Sequence, residues 1–417
     1  MNRYLSQIQP AAKWVAILLL MAVVVGTASA FFLWALDAVT RVRFENPWLL
    51  YFLPVGGFLM GWLYLRHGKN AGEGTHLILT EIHETGVGVP RRLAPLVLIG
   101  TLMTHLFGGS AGREGTAVQM GGGIAASFAR FFRLAPAEVR LLLMAGISAG
   151  FGSVFGTPIA GAVFALEVLV IGRNQWGALV PCFIAAGVAD WTCAAWGIRH
   201  THYMIALDGF HLEPWLVGKV ILVAIVFGWV GGAFAMSHRW LSGQFKDRIS
   251  RPELRPVAGG IIVIGLFFVA GGDYLGLGVL GNDANAVTLP AMFHSTEIPA
   301  SAWLWKFIFT VVTLSAGFKG GEVTPLFFIG AALGNTFAQL LGAPLDLFAA
   351  IGFVALFAAA SKTPFASTLL GMELFGFSNG FYLAVACLVA HRFSGQHGIY
   401  STHRPDLPKV RKFPSDM

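Results

Sequence analysis

The chain has 417 residues, 56% of them hydrophobic and only 12% charged, with a net charge of +7. That charged share is about half of what soluble proteins carry, too little polar surface for a water-soluble fold of this length, so the class expected is a polytopic membrane protein. The positive charge gathers in Arg239–Arg255 and Arg404–Lys412; the positive-inside tendency accounts for both clusters, puts the termini on the cytoplasmic side, and needs no nucleic acid.

Nearly uncharged runs long enough to cross a ~30 Å hydrocarbon core begin with Trp14 to Leu36. This run is too long for a cleaved secretory signal, and nothing resembling a soluble domain follows it. Next, Leu96–Met103 and Ile124–Ala129 are strongly apolar, yet between them lies GGSAGREGTAVQMGGG, with Glu114 near its centre. Further runs are Leu141 to Leu166, broken by a proline, and Val217 to Met236, with one lysine near its start. After Tyr400 only a short basic tail is expected. Cys182, Cys193 and Cys387 all sit in apolar surroundings and read as small core residues. His67, His83 and His105 have no metal spacing and read as packing residues. No metal site or cofactor is implied.

Four apolar segments are too short and too glycine-rich to be simple spans: Ala117–Phe131, Pro158–Ile171, Leu326–Leu341 and Phe365–Phe375. A helix that begins inside a bilayer leaves backbone N–H groups unpaired, which is tolerated only beside protein or a water-filled cavity. Two of these segments follow one motif and two follow another. Gly112-Arg113-Glu114-Gly115-Thr116 is matched by Gly320-Gly321-Glu322-Val323-Thr324, and Thr157-Pro158-Ile159-Ala160 by Thr363-Pro364-Phe365-Ala366. Glu114 precedes Thr157 by 43 positions and Glu322 precedes Thr363 by 41; each Thr-Pro precedes a glutamate, Glu167 or Glu373, by 10. The order and spacing predict an internal duplication, and interrupted helices at matching places in two halves point to a transporter binding site.

Helices starting near Gly115-Thr116 and Val323-Thr324 would present free N–H groups and the positive end of their dipoles, a setting that attracts anions. Glycines before them allow close backbone approach. An ionised Glu114 can occupy such a site itself, and a protonated one has no reason to stay, so proton and anion binding become mutually dependent. The bland alternative is an ion pair with Arg113, but adjacent residues on a helix do not face each other, and a carboxylate at membrane depth defaults to function. For Glu322 the alternative is neutralisation by nearby Lys319. Glu167 and Glu373, late in their helices, read as structural.

These residues carry a family resemblance. Gly112–Thr116 resembles the GREGP motif of the CLC chloride channels and proton-coupled exchangers. Phe155–Glu167 is similar to the family signature FG-x-P-x-A-G-x-x-F-x-x-E, Gly320–Pro325 stands at GG-x-F-x-P, and Tyr400 at the late pore tyrosine. GSGIP falls on Gly74–Ile78 with Thr75 at its serine; a rival frame from Gly72 puts Glu73 there. Glu322 with Val323 looks like the fluoride/proton antiporter branch, although that branch has asparagine or methionine where Thr75 stands. The internal proton glutamate of chloride exchangers is replaced by Val168.

The resemblance implies an all-α polytopic membrane protein with the CLC fold, two inverted-topology repeats whose broken helices meet at a midplane anion site. It implies one transmembrane domain over 1–417: repeat one at about 11–198, repeat two at about 213–390, a short C-terminal helix and tail over 391–417, and no regulatory domain. Implied roles are Glu114 as gating glutamate, Glu322 as second proton-coupling glutamate, and anion contacts from Thr75, Gly115, Thr116, Val323, Thr324 and Tyr400. The expected partners are fluoride and protons in antiport, the lipid bilayer, and a second copy in a homodimer with one pathway per subunit, in a bacterial inner membrane. The hydroxyls of Thr75, Thr324 and Tyr400 suit fluoride, which needs hydrogen-bond donors in exchange for its water.

Two other readings compete. One is a chloride channel or chloride/proton exchanger of the same family. The other is an intramembrane serine protease, since Gly108-Gly109-Ser110-Ala111-Gly112 matches G-x-S-x-G. A nucleophile elbow requires a strand before the serine and a later histidine base. No β alternation precedes Ser110, and His391 lies in a polar end segment, so the chain is not expected to be an enzyme.

Overall fold

The computed structural model describes residues 2–84, 86, 88–169, 176–200, 205, 213–281, 283 and 285–400, with side chains from Ala12 onward. Among the described residues there is no strand, and the regular structure is helical. The first half contains α1 (Asn2–Glu45), α2 (Leu53–His67), α3 (Thr75–His83), α4 (Leu93–Leu106), α5 (Glu114–Phe131), α6 (Pro136–Phe155), α7 (Pro158–Glu167) and α8 (Leu179–Ala195). The second contains α9 (Pro214–Arg248), α10 (Arg255–Ala270), α11 (Ala302–Ser315), α12 (Val323–Leu341), α13 (Leu345–Ser361), α14 (Pro364–Phe375) and α15 (Gly380–Phe393). Among the described residues seven helices are long and apolar enough to cross a membrane. Large apolar side chains such as Trp229, Ile261 and Phe268 stand exposed, a surface suited to lipid. The protein is an integral membrane protein.

The duplication is visible in how the helices cross. In the first half α5 packs on α6 at Gly121 and Gly146; in the second α12 packs on α13 at Gly330 and Gly352. A Cβ at Gly121 would overlap the Gly146 carbonyl oxygen, and one at Gly330 the Gly352 carbonyl oxygen. Both crossings therefore need glycine so that two backbones can touch.

The run Leu141–Leu166 divides where its proline predicts. Gly156 sits left-handed at φ 72° past the end of α6 and Pro158 opens α7, the common glycine stop and proline start. The matching break between α13 and α14 puts Lys362, not glycine, at φ 66°. That conformation is costly for a side chain. The Lys362 ammonium offsets it by donating to Ser394 O (3.1 Å), Ser394 Oγ (2.5 Å) and Gly395 O (2.8 Å). The same contacts hold the turn that leads to Tyr400.

Glu167 and Glu373 cap each other's helices. Glu373, near the end of α14, accepts from the amides of Ile159 (3.0 Å) and Ala160 (2.7 Å) at the start of α7. Glu167, at the end of α7, accepts from Phe365 (3.1 Å) and Ala366 (2.7 Å) at the start of α14. Each carboxylate satisfies the free amides that a helix start leaves unpaired and sits at a positive dipole end. Two helices that touch end to start at both ends run antiparallel, as inverted repeats require.

The expected boundaries shift slightly. Helix α1 already covers position 11, and α15 runs through 390 to Phe393. No new helix forms over 394–400, because the Ser394 hydroxyl and amide turn back to His391 O and Gly395 takes φ 71°; 401–417 lie outside the described residues.

Removing either cap strands two amides. Glu373→Ala and Glu167→Ala are each expected to lower stability by roughly 1–3 kcal/mol, the cost of leaving helix-start donors unpaired, with Glu167→Ala the milder because the Phe365 amide is exposed. Thermal unfolding of the detergent-solubilised protein measures it.

Candidate functional site

The two motif segments meet through their backbones. The Gly112 amide donates to Gly321 O (2.6 Å) and the Gly321 amide to Gly112 O (2.7 Å). A Cβ on Gly112 would come within 2.9 Å of Gly321 O, and one on Gly321 within 2.6 Å of Gly115 N. Only glycine permits this approach. It brings the starts of α5 and α12 together.

Glu114 is the first residue of α5 and is 1% exposed. Its carboxylate crosses to the start of α12. One oxygen accepts from the Thr324 amide (3.0 Å), and both lie within 2.6 Å of the Thr324 hydroxyl, which donates to them. The carboxylate thus occupies the anion position that the α12 N-terminus offers.

Arg113 corrects one expectation. It caps α5 from outside, so helical spacing does not separate it from its neighbour; its Nε lies 3.4 Å from Glu114 Oε1, and its amide donates to Oε2 (3.2 Å). The ion pair coexists with the bonds to Thr324. Lys319, by contrast, stands over the Tyr64 ring at 4.5 Å and donates to Gly72 O at 3.3 Å.

Two cavities flank this point. The first, of about 30 Å³, is lined by Arg113, Glu114, Thr324 and His200 with Phe155, Phe327 and Phe353 among its apolar walls. That volume suits one or two waters or small ions. The second, of about 400 Å³, is lined by Thr75, Gln119, Lys319, Glu322 and Tyr400. Gly115 stands between the carboxylates: it directly follows Glu114, and a Cβ on it would lie 3.6 Å from Glu322 Oε2.

The expected anion contacts divide accordingly. Thr324 belongs to the first cavity; Thr75, at the start of α3, and Tyr400 belong to the second. Val323 and Gly115 are buried between them. The Thr116 side chain is engaged elsewhere, its hydroxyl sharing a 2.7 Å hydrogen bond with Thr101 on α4. The Ser110 hydroxyl shares a hydrogen bond with Thr310 (2.9 Å), and the Ser110 amide donates to the Thr313 hydroxyl (3.2 Å), so its loop is tied to α11. His105 spans from Thr101 O (2.8 Å) to Ala111 O (3.1 Å) behind that loop.

The voltage gated chloride channel family model matches residues 56–395. The chain belongs to the CLC family. It is 47% identical over 402 residues to a chloride/fluoride channel protein of Pseudomonas syringae pv. tomato, covering 94% of this chain and 86% of that one. A crystal structure of a CLC-type fluoride/proton antiporter matches at TM-score 0.88 and 37% identity, over 94% of this chain and 97% of that one. A cyanobacterial Cl⁻/H⁺ antiporter structure at 22% identity shares the fold, with TM-score 0.79 over 93% of this chain and 96% of that one.

Gln119, His200 and Phe353 line these CLC cavities without having been singled out in the sequence. Gln119 carried a weak signal, lying in the same glycine-rich stretch as Glu114. His200 and Phe353 carried none, because remote segments bring them in.

Thr324→Val keeps the amide but removes the hydroxyl donor. In a Glu114→Gln background, where no tethered carboxylate competes, halide affinity is expected to fall by about 1.5–3 kcal/mol, the range for a hydrogen bond to a charged group. Titration calorimetry measures the difference.

Proposed function

We propose that this CLC protein exchanges fluoride for protons across a bacterial inner membrane, with Glu114 as its gate. The observation that carries the reading is the Glu114 carboxylate on the Thr324 amide and hydroxyl. An ionised Glu114 fills the anion position. A proton removes its charge and much of its acceptor strength, so it leaves. Fluoride, a compact and strong hydrogen-bond acceptor, then takes the same donors. One position cannot hold both anions, and this exclusion couples the two movements.

Glu322 is the second proton station. It lines the second cavity with Tyr400 and Thr75, and it lies against Gly115 immediately beside Glu114. Thr75 and Tyr400 offer hydroxyls to an anion entering that cavity. Val168 replaces the glutamate a chloride exchanger uses; of the two acids lining the second cavity, Glu73 and Glu322, it is Glu322 that lies against Gly115 beside the gate. The names of two relatives, a chloride/fluoride channel protein and a CLC-type fluoride/proton antiporter, support fluoride as the substrate.

Orientation follows from charge. A further cavity lined by Lys69, Lys246 and Arg255 shares Gly72, His238 and Lys319 with the second cavity. The positive-inside tendency makes that side cytoplasmic, so the first cavity opens toward the exterior and fluoride leaves the cell through it. The protein acts as a homodimer with one pathway per subunit, in keeping with its family.

In reconstituted vesicles, fluoride efflux is expected to exceed chloride efflux; equal or faster chloride efflux would assign the chain to chloride exchange. Glu114→Gln is expected to abolish proton coupling, since nothing at the gate remains to titrate; a pH gradient that still drives uphill fluoride movement in this variant overturns the gate assignment. Glu322→Gln is expected to slow or uncouple exchange, and wild-type coupled rates would return Glu322 to a structural role.

A further inference from the structure

The first cavity contains a titratable group that the gate mechanism does not use. His200 lines it together with Arg113, Glu114 and Thr324. Its Nε2 lies 3.7 Å from Asp190 Oδ1 on α8, and its imidazole is largely buried. The ring rests on Gly156, the left-handed glycine that ends α6: a Cβ there would fall 2.6 Å from His200 Cδ2. The break between α6 and α7 therefore opens the space in which this imidazole reaches the cavity.

We propose that His200, beside Asp190, carries protons between the exterior and Glu114. Imidazole changes charge between about pH 5 and 8 without special perturbation, which suits it to collect protons from neutral water. The groups around it divide the work. Asp190 favours the imidazolium, and Arg113 opposes it across the cavity. Cys193 lies near both Asp190 and Arg113. Glu373, which lies near Asp190, is engaged by the α7 amides. The cavity has room for one or two waters between the imidazole and Glu114.

In the transfer step an imidazolium N–H bond breaks, its proton passes through water, and an O–H bond forms on the Glu114 carboxylate. Positive and negative charge disappear together, so the cavity's net charge does not change. Glu114, now neutral, is free to leave Thr324. The neutral imidazole then takes its next proton from the exterior.

This inference rests on the proposed exchange mechanism, and its test separates the two. Fluoride-coupled proton flux would be followed in vesicles against external pH for the wild type, His200→Gln, His200→Ala and Asp190→Asn. At an external pH of about 8 His200→Gln is expected to run on the order of 10²-fold slower than wild type, the low end for losing a positioned proton carrier. The gap should narrow as external pH falls and hydronium reaches Glu114 directly. The fluoride-to-proton ratio should not change, because the gate is intact. Added imidazole should restore His200→Ala, and Asp190→Asn should shift the pH profile to lower pH. Wild-type rate and profile in His200→Gln would overturn the relay. A loss equal at every pH, with no rescue by imidazole, would equally overturn it, showing a structural role alone. A wild type that carries no fluoride, or a Glu114→Gln variant that stays coupled, would instead overturn the exchange mechanism.

Discussion

A carboxylate held on the N-terminus of a helix inside a membrane sets the terms for the rest of this molecule. Burying a charge at that depth is costly unless it is compensated, and the compensation here comes from Thr324, the α12 dipole and Arg113. The start of α12 is thus a setting suited to an anion, and the Glu114 carboxylate occupies it. Each supporting feature serves that arrangement. The glycine pair lets two helix starts approach, the halved helices supply the dipole, and the aromatic walls keep bulk water away.

The scaffold around the site is stiff. Gly112 and Gly321 exchange backbone hydrogen bonds across the repeats, and Glu167 and Glu373 join α7 to α14 at both ends. Sliding one half against the other would strand buried amides at several places at once. This leaves side chains as the groups able to change partners: Glu114 at the start of α5 and Glu322 in the second cavity. Such a machine moves ions by exchanging side-chain partners within an almost fixed frame.

Much of this was legible in the chain. Composition showed a membrane protein, and the paired motifs Gly112–Thr116 and Gly320–Thr324 showed where helices begin in mid-membrane, because proline, glycine and glutamate mark such starts by backbone chemistry. Glu167 and Glu373 read as structural from their place late in short helices, and their capping contacts fit that reading. The Arg113–Glu114 pair departs from the helical-spacing expectation, because Arg113 stands just outside α5, where that spacing does not hold. The division of Thr75 and Tyr400 from Thr324 into separate cavities was not readable. Nor was the engagement of Thr116 with Thr101, which depends on how α4 and α5 pack. His200 gave no warning because a lone histidine acquires meaning only from what the fold places beside it.

The crossed capping of α7 and α14 makes the two halves depend on each other. Glu167 serves the helix that carries Glu373, and Glu373 serves the helix that carries Glu167. This is the pattern of an isologous contact, in which one patch meets its own counterpart, here within a single polypeptide. Neither half closes its own broken helix start, so a change at one cap is felt first in the opposite half.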